Sequence, residues 1–240
     1  MGDSQLPKRE DAIVVSVDLA LNRSAFIVQR CINGIPVLDA EGVSGIVGLA
    51  ELADCATWED KTTALLEHIV NACIGKHYDG EASLHILVEG LVHTALKGGN
   101  NKHLLQGRGS LLYSLKQVLK SAYGDKISII ESPVFLAKQL SAGAGNSTKL
   151  QVFDAVLTYI EDRTNVLFSH VKYSKSKGFI KTDTVISLKE LLNSPHNLPK
   201  NKEAKNPQRF DISDALSIHN VNLKLLSGSL VGAKVSNVFA

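Results

Sequence analysis

Apolar positions along this chain follow two periods. The stretch AIVVSV, Ala12 to Val17, is almost unbroken and stops at Asp18. A short β-branched run closed by a polar turn predicts a central strand. SAFIVQRCI (Ser24 to Ile32) predicts a second strand returning beside the first. IPVLDAEG, ending at Gly42, predicts a third, so the chain opens as an antiparallel meander. SLHILV (Ser83 to Val88) and KISIIES (Lys126 to Ser132) predict two more strands, and the first of these ends on Glu89.

Between and after the strands the period changes to that of a helix. Leu65, Leu66, Ile69, Val70 and Cys73 share one face of a helix over 58–76, with Trp58 packing at its start. Leu111, Leu112, Leu115, Val118 and Leu119 do the same over 107–122. Pro133 suits the first position of a short helix reaching Leu140. SAGAGNSTK is a glycine-rich loop, and Val152, Val156 and Ile160 mark a helix over 148–160. Ile212, Ala215, Leu216 and Leu223 mark a closing helix over 211–225. The segment 163–209 is less regular, with a possible hairpin (NVLFSHVKY, GFIKTDTVI) and a Pro/Asn/Lys-rich loop. Three meander strands followed by alternating helices and strands predict an α/β fold, a mixed sheet with helices packed on it.

Composition narrows the class. The chain has 240 residues, 44% of them apolar, which suits one domain with a substantial core. The apolar runs are too short to cross a bilayer, so no membrane partner is expected. The first eleven residues, MGDSQLPKRED, form a polar tail with no secretory pattern, and Leu6 stands where a myristoylation signal needs Ser or Thr. We expect a cytoplasmic protein of bacterial, phage or viral origin. Cys31, Cys55 and Cys73 are odd in number and lack a CxxC pair, which predicts buried thiols rather than disulfides or zinc. The eight histidines show no ligand spacing, and His219 reads as structural.

Net charge is +2, but it is unevenly spread. Lys172 to Arg209 holds nine basic and three acidic residues, a local +6 on a body that is otherwise −4. Such a segment is either a solvated loop or a contact to a phosphate backbone.

The candidate chemistry lies in the acids. Two strands end on carboxylates, Asp18 and Glu89, and as sheet neighbours these would stand side by side. Asp211 and Asp214, three apart, share a face at the start of the last helix, where capping is the simpler role. Clustered carboxylates are unfavourable unless a cation neutralises them. Oxygen donors suit Mg²⁺, and two such ions can hydrolyse a phosphodiester.

These residues resemble the RuvC-type Holliday-junction resolvases of the RNase H-like nuclease superfamily. Asp18, Glu89 and DISDALSIHN, with Asp211 and Asp214, match that family's four metal-binding carboxylates in order and context. LLQGRGSLLYSL (Leu104 to Leu115) and AKQLSAGAGNSTKLQVFDAV (Ala137 to Val156) resemble two further motifs of the family. The resemblance implies an RNase H-like fold with a mixed five-stranded sheet, its first three strands antiparallel, and helices on both faces. One nuclease domain would span 12–240, with a basic insertion at about 163–209.

The implied activity is a structure-specific endonuclease that cuts four-way DNA junctions. It would use two Mg²⁺ ions per site, with Mn²⁺ as a substitute, and leave 5′-phosphate and 3′-hydroxyl ends. Lys138 and Lys149 match lysines near the scissile phosphate and the DNA backbone, Lys138 counting among the catalytic residues. Arg108 would position its helix or touch DNA, and Gly143 and Gly145 would let backbone N–H groups approach a phosphate. A junction has two equivalent strands to cut, so a homodimer is expected, with Leu104 to Leu115 as the candidate interface.

The sequence departs from the family at one position that matters. An aromatic residue commonly follows the strand-four Glu at the third position, whereas EGLVH puts Val92 there. An aliphatic side chain can wedge at a base step but cannot stack on it. Two alternatives stay open: a related nuclease acting on flaps or forks, and a junction-binding protein that cuts nothing. An actin-like ATPase ranks below both, because VDLALNRS lacks the glycine of a phosphate-binding turn.

Overall fold

In the computed structural model, which describes residues 11–20, 23–75, 81–90, 100–161, 166–174, 178–194, 210–230 and 236–237, β1 (Asp11–Asp18) is buried from Ala12 onward. It pairs antiparallel with β2 (Arg23–Ile32), Asp18 lying opposite Ala25. The third long strand differs from the expectation. Ile35–Pro36 makes only a two-residue strand, β3, against the end of β2. The strand that extends the meander is β4 (Val43–Glu51), antiparallel to β2.

Two glycines hide β4 in the sequence. A Cβ on Gly48 would stand 2.0 Å from Cζ of Phe26, and one on Gly45 would stand 2.3 Å from the carbonyl oxygen of Val28. Glycine reads as a breaker by propensity, but here it gives room for the neighbouring strand.

The remaining elements are α1 (Trp58–Gly75), β5 (Ser83–Glu89), α2 (Asn100–Tyr123), β6 (Ile127–Ser132), α3 (Val134–Ala142), α4 (Lys149–Glu161), β7 (Leu167–Ser174), β8 (Gly178–Ser187), α5 (Leu188–Asn193), α6 (Asp211–Leu226) and β9 (Ser236–Asn237). Pro133 is the N-cap of α3, one position before the N1 place expected, because its ψ of 137° keeps it extended.

The described strands form one sheet in the order β8-β7-β4-β2-β1-β5-β6-β9, with β3 beside β2. At its centre, β4-β2-β1-β5-β6 has the expected RNase H-like arrangement. The first three strands are antiparallel, then β5 runs parallel to β1 and β6 parallel to β5. The sheet has nine strands rather than five. Much of the excess comes from the segment expected as an insertion. Its β7–β8 hairpin lies parallel along β4 and satisfies an edge that would otherwise leave backbone groups unpaired.

Helices cover both faces. Ile13, Val15 and Val17 of β1 pack with Phe26, Leu84 and Ile86 against Leu65 and Ile69 of α1 and Leu111, Leu115 and Leu119 of α2. On the opposite face Ala25, Ile27 and Leu49 meet Val152 and Val156 of α4, Leu191 of α5 and Ile212 of α6. Leu87 meets Ala137 of α3 and Ile218 and Val221 of α6.

The proposed dimer helix therefore gives much of its apolar face to its own core. Leu111, Leu112 and Leu115 are buried, which leaves Leu105, Tyr113 and Val118 exposed along α2. Among the described residues no helix is long and apolar enough to cross a membrane. Cys31 and Cys55 are buried free thiols, as expected.

Candidate active site

Strand parity brings the acids together. Alternate residues of a strand face opposite sides. In β1, Ala12 and Val14 pack near Leu223 and Leu226 at the end of α6. Two residues on, Ser16 meets the middle of α6: its hydroxyl lies 3.0 Å from Nδ1 of His219, and Asn222 donates to it at 3.3 Å. Asp18, two further on, comes under the first turn of α6, which carries Asp211 and Asp214. In β5, Leu87 faces the α6 side, so Glu89 does too. Asp18 and Glu89 close the ends of adjacent parallel strands, Val17 pairing with Val88.

The electrostatics report this closeness. Burial first, then the charges of Glu89, Asp214 and Asp211, raise the Asp18 carboxyl well above its usual value, while Lys149 opposes them. Burial and the charge of Asp214 raise Glu89 to about 7, against the pull of Lys149, Lys138 and Arg108. Asp214 is also raised by burial, although Lys149 and Lys138 work to lower it. All four acids thus act on one electrostatic neighbourhood at the carboxyl ends of β1 and β5.

Capping does not account for the two acids of α6. The N-cap is Phe210, which makes no side-chain capping hydrogen bond. Asp211 instead pairs with Arg23, Nε to Oδ2 at 3.2 Å. Lys149, at the start of α4, holds Asp214 at 2.7 Å. Burial tends to lower the Lys149 ammonium, but Asp214, Asp18 and Asp211 together raise it.

The donor set is four carboxylates, which suits a hard divalent cation. No group of three or more His, Cys, Asp or Glu side chains among the described residues is arranged to hold a metal ion as the chain stands. Two of the acids are engaged by Arg23 and Lys149.

The other sequence candidates fall in different places. Lys138, half-buried on α3, acts on both Glu89 and Asp214. Arg108 is buried and forms a two-pronged pair with Glu131, at 3.2 and 3.1 Å. That arrangement anchors α2 to β6 and leaves the guanidinium little surface for DNA. Gly143 is the left-handed C-cap of α3, and its N–H goes to the carbonyl of Gln139 rather than outward. A Cβ on Gly145 would lie 3.0 Å from Cβ of Phe135, so the glycine allows the loop to pack on α3. Val92 lies outside the described residues.

Sequence reasoning missed Arg23 and the buried polar chain behind the acids. The β1–β2 register was the available signal for Arg23, since it lies two residues before the partner of Asp18. In the polar chain, His219 Nε2 lies 2.7 Å from Oε1 of Gln29, whose amide donates to the Ser44 hydroxyl at 2.6 Å. Asn222 donates to the Val15 carbonyl at 3.1 Å. With Nε2 donating to Gln29, Nδ1 accepts from Ser16, and burial lowers the imidazole pKa to about 3. The chain stitches α6 to β1 and β2 one turn below the acids.

No protein-family model and no curated protein matches this sequence. Solved structures do. Thermus thermophilus RuvC aligns at a TM-score of 0.46 and 11% identity, covering 90% of this chain and 96% of its own. A fowlpox virus resolvase, solved with Holliday junction DNA, aligns at a TM-score of 0.41 and 13% identity, over 91% and 99% of the two chains. The yeast mitochondrial Holliday junction resolvase aligns at 0.42 and 12%, over 93% and 85%. The chain is similar to Holliday junction resolvases.

Proposed function

We propose that this protein is a metal-dependent DNA endonuclease that cuts four-way junctions. One observation carries the reading: Asp18, Glu89, Asp211 and Asp214 meet at one end of the sheet, where burial holds three of the carboxyls above their usual values and neighbouring carboxylates push Asp18 and Glu89 further up. A protein keeps such a cluster at a cost in stability when a cation neutralises it in use.

The four acids would hold two Mg²⁺ ions, with Mn²⁺ substituting. When bound, such ions activate a water and stabilise the leaving oxygen of a phosphodiester. The chain supplies the rest. Strand ends fix Asp18 and Glu89, and the polar chain through His219 fixes α6. Lys138 brings a positive charge to the edge of the cluster, where a phosphate would approach. Lys149 pairs with Asp214 at 2.7 Å, and with a cation on the acids its ammonium would be available to the DNA backbone. The products would carry 5′-phosphate and 3′-hydroxyl ends. Two copies related by a two-fold axis, meeting on the outer face of α2, would cut both strands of a junction.

The test is cleavage of an end-labelled four-way junction in Mg²⁺, beside flap, fork and linear duplex controls. Paired nicks in the junction alone, absent with Asp18→Asn while binding in Ca²⁺ is kept, support the reading. Equal cutting of all substrates would leave a nuclease without junction selectivity. Binding without cutting in Mg²⁺ or Mn²⁺ would reject the enzyme.

A further inference from the structure

The helix that carries Lys138 also presents an aromatic side chain that the protein's own core does not use. Phe135 lies in the first turn of α3 and is 54% exposed. Large aromatics gain most from burial, and a ring left in water forgoes much of that gain. Its stem is nevertheless held, because Gly145 packs so closely that even a Cβ there would lie 3.0 Å from Cβ of Phe135. The backbone under the ring is fixed while the ring faces solvent.

Its position along the chain ties it to the acids. Ser132 pairs with Glu89 across β5 and β6, and Gly90 donates its N–H to the Ser132 carbonyl at 2.6 Å. Phe135 follows Ser132 by three residues. Lys138 follows Phe135 by three more, on the same helical face, and acts on Glu89 and Asp214. Across the loop, α4 begins with Lys149 and the exposed Leu150. A solvent-facing ring thus stands one helical turn from Lys138, whose charge reaches two of the acids, on the helix that the Lys149 loop packs against.

This pattern suits single-stranded or opened nucleic acid. Lysines track the backbone, and the ring offers a π-face to a base that has left its stack. Paired bases inside a duplex present no free face, so the ring contributes only where strands separate.

We propose that Phe135 is a stacking platform for an unpaired base at the branch point, with Lys138 and Lys149 holding the flanking phosphates. The proposal rests on the junction-cutting reading above and names how that site tells branched DNA from duplex. Phe135 is a DNA-contact residue and takes no part in bond cleavage.

The experiment uses the full chain in Ca²⁺, with a four-way junction and a linear duplex of equal length. Three forms are compared: wild type, Phe135→Ala and Phe135→Trp. Phe135→Ala weakens junction binding on the order of tenfold or more, leaves duplex binding unchanged, and keeps the thermal midpoint and oligomeric state of wild type. Phe135→Trp restores junction affinity, and its added indole fluorescence is quenched on binding the junction but not the duplex.

Unchanged junction affinity in Phe135→Ala, an equal loss on duplex, or no quenching would overturn the proposal while leaving the nuclease reading intact. Dissociation of a dimer by Phe135→Ala would overturn it too, since the ring would then cover a second copy. A wild type that binds junction no better than duplex would overturn both the proposal and the junction reading.

Discussion

Replacing Glu89 by Gln should make the metal-free protein more stable while removing its activity. Gln keeps the size and hydrogen-bonding shape of a protonated Glu but never ionises. In the folded chain burial and the charge of Asp214 raise Glu89 from 4.5 to about 7. A raised carboxyl favours the fold while protonated, and that advantage is lost as pH rises from the unfolded value through the folded one. Above both values the full difference weighs against the fold, about 3 kcal/mol at 1.36 kcal/mol per pH unit, as an upper bound. At pH 5 the penalty shrinks to roughly 1 kcal/mol, because the folded carboxyl is then largely protonated.

The assay is urea denaturation in a chelator at pH 8 and pH 5, with Glu89→Gln beside wild type. The variant should gain up to about 3 kcal/mol at pH 8, or at most roughly 6–12 °C in thermal midpoint for a chain of this size, and much less at pH 5. Adding Mg²⁺ should narrow the gap by stabilising wild type more than the variant. A variant less stable than wild type at pH 8 would refute the reasoning, because Glu89 would then be a satisfied structural acid.

Other substitutions probe the frame around the site. Burial holds the His219 imidazole down to about 3, so the folded chain resists the proton that the unfolded chain accepts near 6.5. Stability from this residue is therefore present above about 6.5 and falls with pH, by about 3 kcal/mol between pH 7 and 4.5. His219→Gln should lose less over that interval in a denaturant titration, and equal losses would contradict the buried neutral ring. Gly48→Ala drives a methyl into the ring of Phe26 and should destabilise by at least about 3 kcal/mol, read as a thermal midpoint. Lys149→Ala frees Asp214 and should tighten Mn²⁺ binding roughly three- to tenfold by calorimetry, and unchanged affinity would show that the Lys149–Asp214 contact does not compete with a cation.

Much of the central fold was readable because β1 and β5 are largely buried on both faces, and a short, continuous Val/Ile run fits a central strand better than any other element. The acids were readable for the same reason, since a carboxylate ending such a run is out of place unless it has a use. The failures have physical causes too. β4 was hidden because Gly45 and Gly48 make room for the backbone and side chains of β2, and packing between strands leaves no local signature. The hairpin of β7 and β8 was visible as alternation. Its docking pairs Leu167 with Val43, far back in the chain, a long-range choice that no window reveals.

The same limit held within the site. Asp214 and Lys149 meet only once α4 and α6 are packed, and the pairing of Arg108 with Glu131 joins a helix to a strand. Both basic residues read as DNA contacts by motif, whereas the fold gives each an acid partner. Phe135 attracted no notice in the sequence because a phenylalanine near a helix start is ordinarily core. Only its exposure sets it apart.

The central proposal is that Asp18, Glu89, Asp211 and Asp214, from three elements, form one catalytic site. The most direct test is the initial rate of junction cleavage in Mg²⁺ for Asp18→Asn, Glu89→Gln, Asp211→Asn and Asp214→Asn, each folded and each assayed for junction binding in Ca²⁺. Every one is predicted to lose activity by on the order of a thousandfold with binding kept. Near wild-type cleavage by any of the four would contradict the shared site.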